Sequence, residues 1–222
     1  MMFWLPDTFP MEFPGGSSLS LGAGDRILLQ AHYHTWEAGA VDATSIALRT
    51  STMSTERNSR IEVFGNDAAG AELQPGPGDP PSGPEFRIPA FEFGHIESIR
   101  VTVPDGSPPR RIFGLAPRLN YAGESIRVWI EKDGGDSLCL RDIPEWSIDS
   151  MRFYVFDEAW EELPLLEAGD ATVIECGYDN TSANDDLRSV LADAGFEEPQ
   201  EMVLGGSPLD EQCMVALGLT TD

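Results

Sequence analysis

The sequence predicts an all-β fold, an antiparallel β-sandwich or jelly roll with at most one short helix. Three observations lead to this prediction. The 222-residue chain is rich in turn formers, with 22 glycines and 17 prolines. Short hydrophobic runs recur between clusters of Gly, Pro, Asp and Asn, which is typical of strands joined by turns. These runs follow one another at roughly even spacing, as in sandwiches and jelly rolls.

Twelve runs have the length and composition of strands. The first begins at Arg26, after a Gly-Asp turn, and alternates toward His34. The last begins at Gln212 and is mostly apolar. The predicted strands cover residues 26–34, 44–49, 60–64, 85–88, 97–103, 110–116, 124–131, 137–142, 150–157, 171–177, 200–204 and 212–218.

One stretch, residues 184–195, predicts a helix. We expect Asp185 or Asp186 to cap its start and Gly195 to end it. Its apolar positions are Leu187, Val190 and Leu191. By contrast, the Gly-, Pro- and Asp-rich residues 65–84 predict an exposed, mobile loop.

The chain reads as one domain, residues 14–222, after an aromatic and proline-rich N-terminal tail, residues 1–13. The start lacks a basic segment and a long apolar core, so we expect no signal peptide in this chain. It has no run of about 18 apolar residues, so we expect no transmembrane segment. With 38 acidic and 14 basic residues the net charge is −24, which argues against nucleic acid and anionic membranes as partners.

His32 and His34 lie two residues apart on a predicted strand and therefore share a face. Two imidazoles can chelate copper or zinc, but such a site needs three or four ligands. We therefore expect both to be structural histidines. The alternative interpretation is a metal site that adds His95.

The three cysteines, Cys139, Cys176 and Cys213, lack the spacing of a zinc site. The sequence permits three disulfide pairings or none. A bond between Cys176 and Cys213 would join two late strands and would indicate an oxidising compartment.

Two further chemistries have weak signals. The sequence has no G-x-S-x-G nucleophile elbow, which argues against a serine hydrolase of that type. Oxygen-rich loops at 133–136 and 179–186 lack EF-hand spacing, so we interpret their acidic residues as turn residues rather than calcium ligands.

Four stretches follow one another along the chain: PGG…LGAGDRILLQAHYH at 14–34, DIPEW at 142–146, LLEAGD…ECGYDNT at 165–181 and GGSPLDEQC at 205–213. Together they resemble the C-terminal catalytic domain of the copper type II, ascorbate-dependent monooxygenases, the family of peptidylglycine α-hydroxylating and dopamine β-monooxygenases. The resemblance covers roughly residues 14–219. It implies a jelly-roll sandwich, a disulfide between Cys176 and Cys213, and an extracytoplasmic location (periplasmic, cell-surface or secreted).

The resemblance does not extend to the residues that bind copper in the family. The family's domain binds copper through a His-x-His and a methionine, and the stretch that matches the His-x-His reads APRLNYAG at 116–123. Arg118 and Asn120 stand at the two histidine positions, and Gln212 at the methionine position. Arginine has no lone pair for a metal, and amide oxygens suit copper(I) poorly. The nearest thioether is Met214.

The family reaction uses two coppers on two domains, with five histidines and a methionine, whereas this chain has three histidines. The resemblance therefore implies a degenerate homologue with no catalytic residue and no cofactor. Such a chain would act as an interaction or binding module for a protein partner or an active homologue, with an unknown small-molecule ligand. Its former metal-ligand positions, Arg118, Asn120 and Gln212, would form a polar pocket.

The alternative is a copper-dependent monooxygenase, or its subunit, that hydroxylates a small molecule or peptide. Its copper would come from a partner or occupy a relocated site. The ligands of the relocated site would be His32, His34, His95 and Met214.

Overall fold

The computed structural model describes residues 10–30, 41, 43–52, 55–65, 72–76, 78–207 and 209–221. Within these ranges it contains twelve strands, one α-helix and two short 3₁₀ turns. The strands are β1 (Ser17–Ser18), β2 (Arg57–Gly65), β3 (Arg87–Ile88), β4 (Phe93–Thr102), β5 (Arg110–Arg118), β6 (Gly123–Glu131), β7 (Ser137–Ile143), β8 (Tyr154–Val155), β9 (Leu165–Leu166), β10 (Ala171–Asp179), β11 (Met202–Val203) and β12 (Met214–Thr221). The helix is α1 (Asp185–Asp193), and the 3₁₀ turns span Ile148–Ser150 and Trp160–Glu162.

Two curled sheets form a sandwich. The first has the order β1-β2-β12-β5-β8, with β9 also paired to β5. The second has the order β4-β10-β6-β7, and a small third sheet pairs β3 with β11. Every pairing is antiparallel except that of β1 with β2. The predicted all-β sandwich with one short helix is confirmed.

The core lies between the two sheets, because each contributes alternate apolar side chains to it. Burial of these side chains is the main favourable term in folding. From the first sheet come Ile112, Leu115, Val215, Leu217 and Leu219; from the second come Ile99, Ile126, Val128, Ile130 and Ile174.

The outer face of the first sheet is also covered, so β12 is buried along most of its length. The ring of Phe113 packs edge-on against Phe13, with centroids 5.8 Å apart. Gly218 is required beneath these rings, because a Cβ there would lie 2.5 Å from Cζ of Phe113. Phe13, in the predicted tail, thus contacts the sheet, and the domain boundary at residue 14 stays a prediction.

The helix α1 begins at the cap residue Asn184, whose side-chain oxygen accepts the Leu187 N–H at 3.1 Å. The prediction that Asp185 or Asp186 is the cap was wrong, because both residues already lie in the first helical turn. The predicted end is confirmed. Gly195 has a φ of +83° and directs the Phe196 N–H to the Leu191 carbonyl, which closes the last turn.

Two predicted strands were wrong as far as they can be compared. Residues 26–30 and 44–49 form no strand, and Leu28 is 91 % exposed. Alternation produces a strand only where a neighbouring edge accepts its hydrogen bonds. The rest of the first predicted strand, including His32 and His34, lies outside the described residues.

Other predicted elements changed in length. Of residues 150–157, only Tyr154–Val155 is strand, and the predicted strands at 85–88 and 200–204 shorten to β3 and β11. The structure also adds the unpredicted β1 and β9.

Part of the predicted loop at 65–84 is not exposed. Leu73 is buried and bridges to Ile99 of β4, where Gln74 N–H donates to the Ser98 carbonyl at 2.8 Å. This short segment extends the second sheet because its backbone reaches the open edge of β4.

A disulfide joins Cys176 of β10 to Cys213, directly before β12, and so links the two sheets. Cys139 is free and exposed. Along the residues that the structure describes, no helix combines the length and hydropathy needed to cross a membrane.

We predict that the double variant Cys176→Ala/Cys213→Ala loses about 4 kcal/mol of unfolding free energy, because the disulfide closes a 37-residue separation in the unfolded chain. Urea unfolding at neutral pH measures the loss. Cys139→Ser is the control and should change stability by less than about 0.5 kcal/mol. Equal stability of the two variants would contradict the structural role of the disulfide.

Candidate functional site

Two segments distant in sequence meet at one end of the first sheet. The strand β5 ends at Arg118 and passes through a short turn into β6, which begins at Gly123. The strand β12 begins at Met214 and pairs antiparallel with β5, so that Met214 lies opposite Arg118. The antiparallel register therefore brings the turn at 119–122 next to residues 210–213.

A buried carboxylate, that of Glu211, joins these two segments. Its Oε2 accepts the backbone N–H of Asn120 at 2.9 Å and of Gln212 at 3.1 Å. Its Oε1 accepts the N–H of Ala122 at 2.7 Å. The side chain thus satisfies three backbone donors that no strand pairing would satisfy.

The burial of Glu211 determines the pKa of its carboxyl. The residue is 1 % exposed, and burial raises its pKa to about 7, although its three N–H donors oppose the shift. Near neutral pH the Glu211 carboxyl is therefore partly ionised. The anion accepts the three hydrogen bonds strongly, and the neutral acid accepts them more weakly.

The amides of Asn120 and Gln212 are committed to the backbone of the same loop. Asn120 Nδ2 donates to the Asp210 carbonyl at 2.8 Å, and Gln212 Nε2 donates to the Gly205 carbonyl at 3.1 Å. Gln212 is buried, and its Oε1 has no hydrogen-bond partner among the described residues. Two of the three predicted pocket residues therefore meet around Glu211.

The third predicted pocket residue, Arg118, is half-buried at the end of β5, and burial lowers the pKa of its guanidinium. Met214, its cross-strand neighbour, is 6 % exposed. A guanidinium so placed brings a positive charge to this end of the sheet, which opposes binding of a cation there.

The buried Tyr178 of β10 lies near two carboxylates, those of Glu211 and Glu97. Its hydroxyl donates to the Gln212 carbonyl at 2.8 Å. Its pKa is raised well above the ordinary value, first by burial and then by the negative charges of Glu211 and Glu97. Tyr178 therefore stays protonated and acts as a hydrogen-bond donor.

His95 forms a hydrogen-bonded pair with one of these carboxylates, that of Glu97. Its Nε2 lies 2.8 Å from Oε1 of Glu97, which also accepts the Arg87 N–H at 3.2 Å. The ring of His95 lies 6.5 Å from that of Tyr178. The structure thus shows His95 in a hydrogen-bonded pair, while His32 and His34 lie outside the described residues.

No group of three His, Cys, Asp or Glu side chains is arranged to hold a metal in the described part of the chain. The residues at the three matched positions also fit copper poorly. Arg118 offers no lone pair, and Asn120 and Gln212 offer only neutral amide oxygens, which suit copper poorly.

Comparison with known proteins adds no family assignment. A scan against known protein families returns no match, and no curated protein matches the chain. Function is therefore inferred from the chemistry of this site together with the resemblance of its motifs.

The sequence pattern does not single out Glu211. The residue lies in the GGSPLDEQC motif, three positions before β12 begins, but one acid among 38 acidic residues gives no sign of burial. Its role emerges only once the turn at 119–122 is seen opposite it.

We predict that Glu211 makes the protein less stable as pH rises. The carboxyl titrates near 4.5 when unfolded and near 7 when folded, so the folded state binds more protons between these values. Unfolding free energy should fall by about 3 kcal/mol across this window from this group alone. Glu211→Gln should remove that part of the slope.

Urea unfolding from pH 5 to 8 measures both proteins, and Glu158→Gln, at an exposed position, is the matched control. The control should keep the wild-type slope. Parallel curves for wild type and Glu211→Gln would contradict the assigned titration.

Proposed function

We propose that the chain is a degenerate, non-catalytic relative of the C-terminal domain of copper monooxygenases and acts as an interaction or binding module. The observation that supports this most is the chemistry at the three matched positions. A guanidinium and two amides stand there, and both amides are bonded within the loop that Glu211 joins.

Redox chemistry at copper needs ligands with free lone pairs and a geometry open to substrate. The amide N–H groups of Asn120 and Gln212 donate to the carbonyls of Asp210 and Gly205, which fixes both side chains. Each side chain has only a neutral amide oxygen to offer a metal, and such an oxygen suits copper(I) poorly. The network around Glu211 therefore acts as a plug at this position.

We also propose an extracytoplasmic location. The disulfide between Cys176 and Cys213 is compatible with it, since such bonds persist in oxidising compartments. The charge of −24 gives the surface the solubility that an exported interaction domain needs.

We predict that the purified chain retains far less than one copper after loading and desalting, because the matched positions lack imidazole and thioether. Metal analysis by mass spectrometry measures this. A variant that restores the family's ligands, Arg118→His/Asn120→His/Gln212→Met, is the comparison and should retain more copper than wild type.

Near-stoichiometric copper in the wild type would contradict the proposal. If the copper is lost in His32→Ala/His34→Ala/His95→Ala, the relocated site is the better account. Oxygen consumption driven by ascorbate would then show that the copper is catalytic.

A further inference from the structure

One side of the sandwich lies between β7 and β8, which among the described strands end the second and the first sheet. Tyr154 of β8 pairs with Leu115 of β5, a core residue. Cross-strand partners point to the same face of a sheet, so the ring of Tyr154 faces the second sheet. Its hydroxyl donates to the Ser150 carbonyl at 2.9 Å, which fixes the ring at this side of the sandwich.

Two guanidinium groups lie on the ring of Tyr154. Arg141 belongs to β7, and its Cζ lies 4.0 Å from the ring centroid. Arg152 belongs to the segment that leads into β8, and its Cζ lies 5.3 Å from the same centroid. The fold therefore brings two positive charges together from different parts of the chain. Like charges repel each other, and a bound anion would remove this repulsion.

Neither of these two guanidinium groups has an oxygen acceptor within the described part of the chain. They form no ion pair there and donate no side-chain hydrogen bond. Arg152 is exposed, and Arg141 is half-buried with only its Nε shut off from solvent. By contrast, each of three other arginines lies within 2.8 Å of a carboxylate oxygen, namely Arg100, Arg110 and Arg188.

The lack of a carboxylate at this place is specific, because the chain has 38 acidic residues to 14 basic ones. The ring of Tyr154 does not replace a carboxylate. It attracts the charge of a guanidinium but offers no oxygen to the N–H donors. These donors suit carboxylate and phosphate, which arginine binds through paired, charge-assisted hydrogen bonds.

We propose that Arg141 and Arg152 bind a compact oxyanion with two negative charges, supplied by a phosphate group or by the paired carboxylates of a small molecule. The two cationic groups match the charge of such a ligand, and the shared ring holds them together before it binds. The site uses none of the residues that bond to Glu211, so the proposal goes beyond the proposed function and does not depend on it.

The net charge of −24 repels anions at a distance, which the site has to overcome. At an ionic strength of about 0.1 M, repulsion between exposed charges is largely screened beyond about 10 Å. Direct contacts between a guanidinium and an oxyanion are screened much less. We therefore expect binding at moderate salt concentration.

A titration followed by ¹⁵N NMR at pH 8 tests the proposal, with inorganic phosphate and malonate as probes in about 0.1 M sodium chloride. Both probes are mainly dianions under these conditions. The side-chain N–H signals of Arg141 and Arg152 should shift along a saturating curve. Tighter binding of phosphate would assign a phosphoryl ligand, and tighter binding of malonate a dicarboxylate.

Sodium chloride added to the same ionic strength is the control for the probes and should not reproduce the saturating shifts. If chloride produces the same shifts, the signals report ionic strength alone and the proposal is overturned. Failure of both probes to saturate would also overturn it.

Arg152→Gln removes the exposed charge with little effect on packing and should weaken binding of the tighter probe by roughly tenfold. Arg127→Gln is the matched control, because Arg127 also lies near an aromatic ring, that of Trp129, but has a carboxylate partner in Asp142. It should leave binding within about twofold of wild type. Equal weakening by both variants would mean general attraction to positive charge and would overturn the proposal.

Arg141→Gln tests the second guanidinium and should also weaken binding by roughly tenfold. Circular dichroism and urea unfolding check that each variant folds. A folded variant with lower stability but unchanged probe binding would show that the arginines only stabilise the contact between β7 and β8, and would overturn the proposal. Because these probes contain no metal, their failure leaves the proposed loss of copper chemistry intact.

Discussion

The carboxylate of Glu211 accepts three backbone N–H groups from segments 89 to 91 residues away and from its own neighbour. It closes the end of the sandwich where β5 turns into β6 and where β12 begins. Burial of this charge is unfavourable, so it raises the pKa of the Glu211 carboxyl to about 7. Removing the acceptor would leave the N–H groups of Asn120, Ala122 and Gln212 without partners, which costs free energy.

This constraint shapes the neighbouring sites. The Gln212 carbonyl accepts a hydrogen bond from the Tyr178 hydroxyl, and the next residue, Cys213, forms the disulfide to β10. The two sheets and the loop are therefore joined at one point. Asn120 and Gln212, two of the positions that the resemblance pairs with copper ligands, are hydrogen-bonded near this point. Asn184 also bonds the turn at 119–122 to the end of β10.

The sequence predicted the regular parts of the fold where a local pattern and a pairing edge coincide. The long strands β2, β4, β5, β6, β7, β10 and β12 and the helix with its Gly195 end follow hydrophobic runs and turn residues. Residues 44–49 carry a similar pattern but take part in no strand pairing among the described residues, so the pattern alone was not sufficient. The disulfide came from the resemblance, since three cysteines alone permit three pairings. Glu211 was missed because one acid among 38 acidic residues gives no sign of burial, and its partners lie far away in sequence.

Backbone amide resonances followed by NMR between pH 5 and 9 test the Glu211 network most directly. The N–H signals of Asn120, Ala122 and Gln212 should shift together with one midpoint at about 7, because they share one titrating carboxylate. In Glu211→Gln the common titration should disappear. Three amides that do not titrate, or that titrate at different midpoints, would contradict the account.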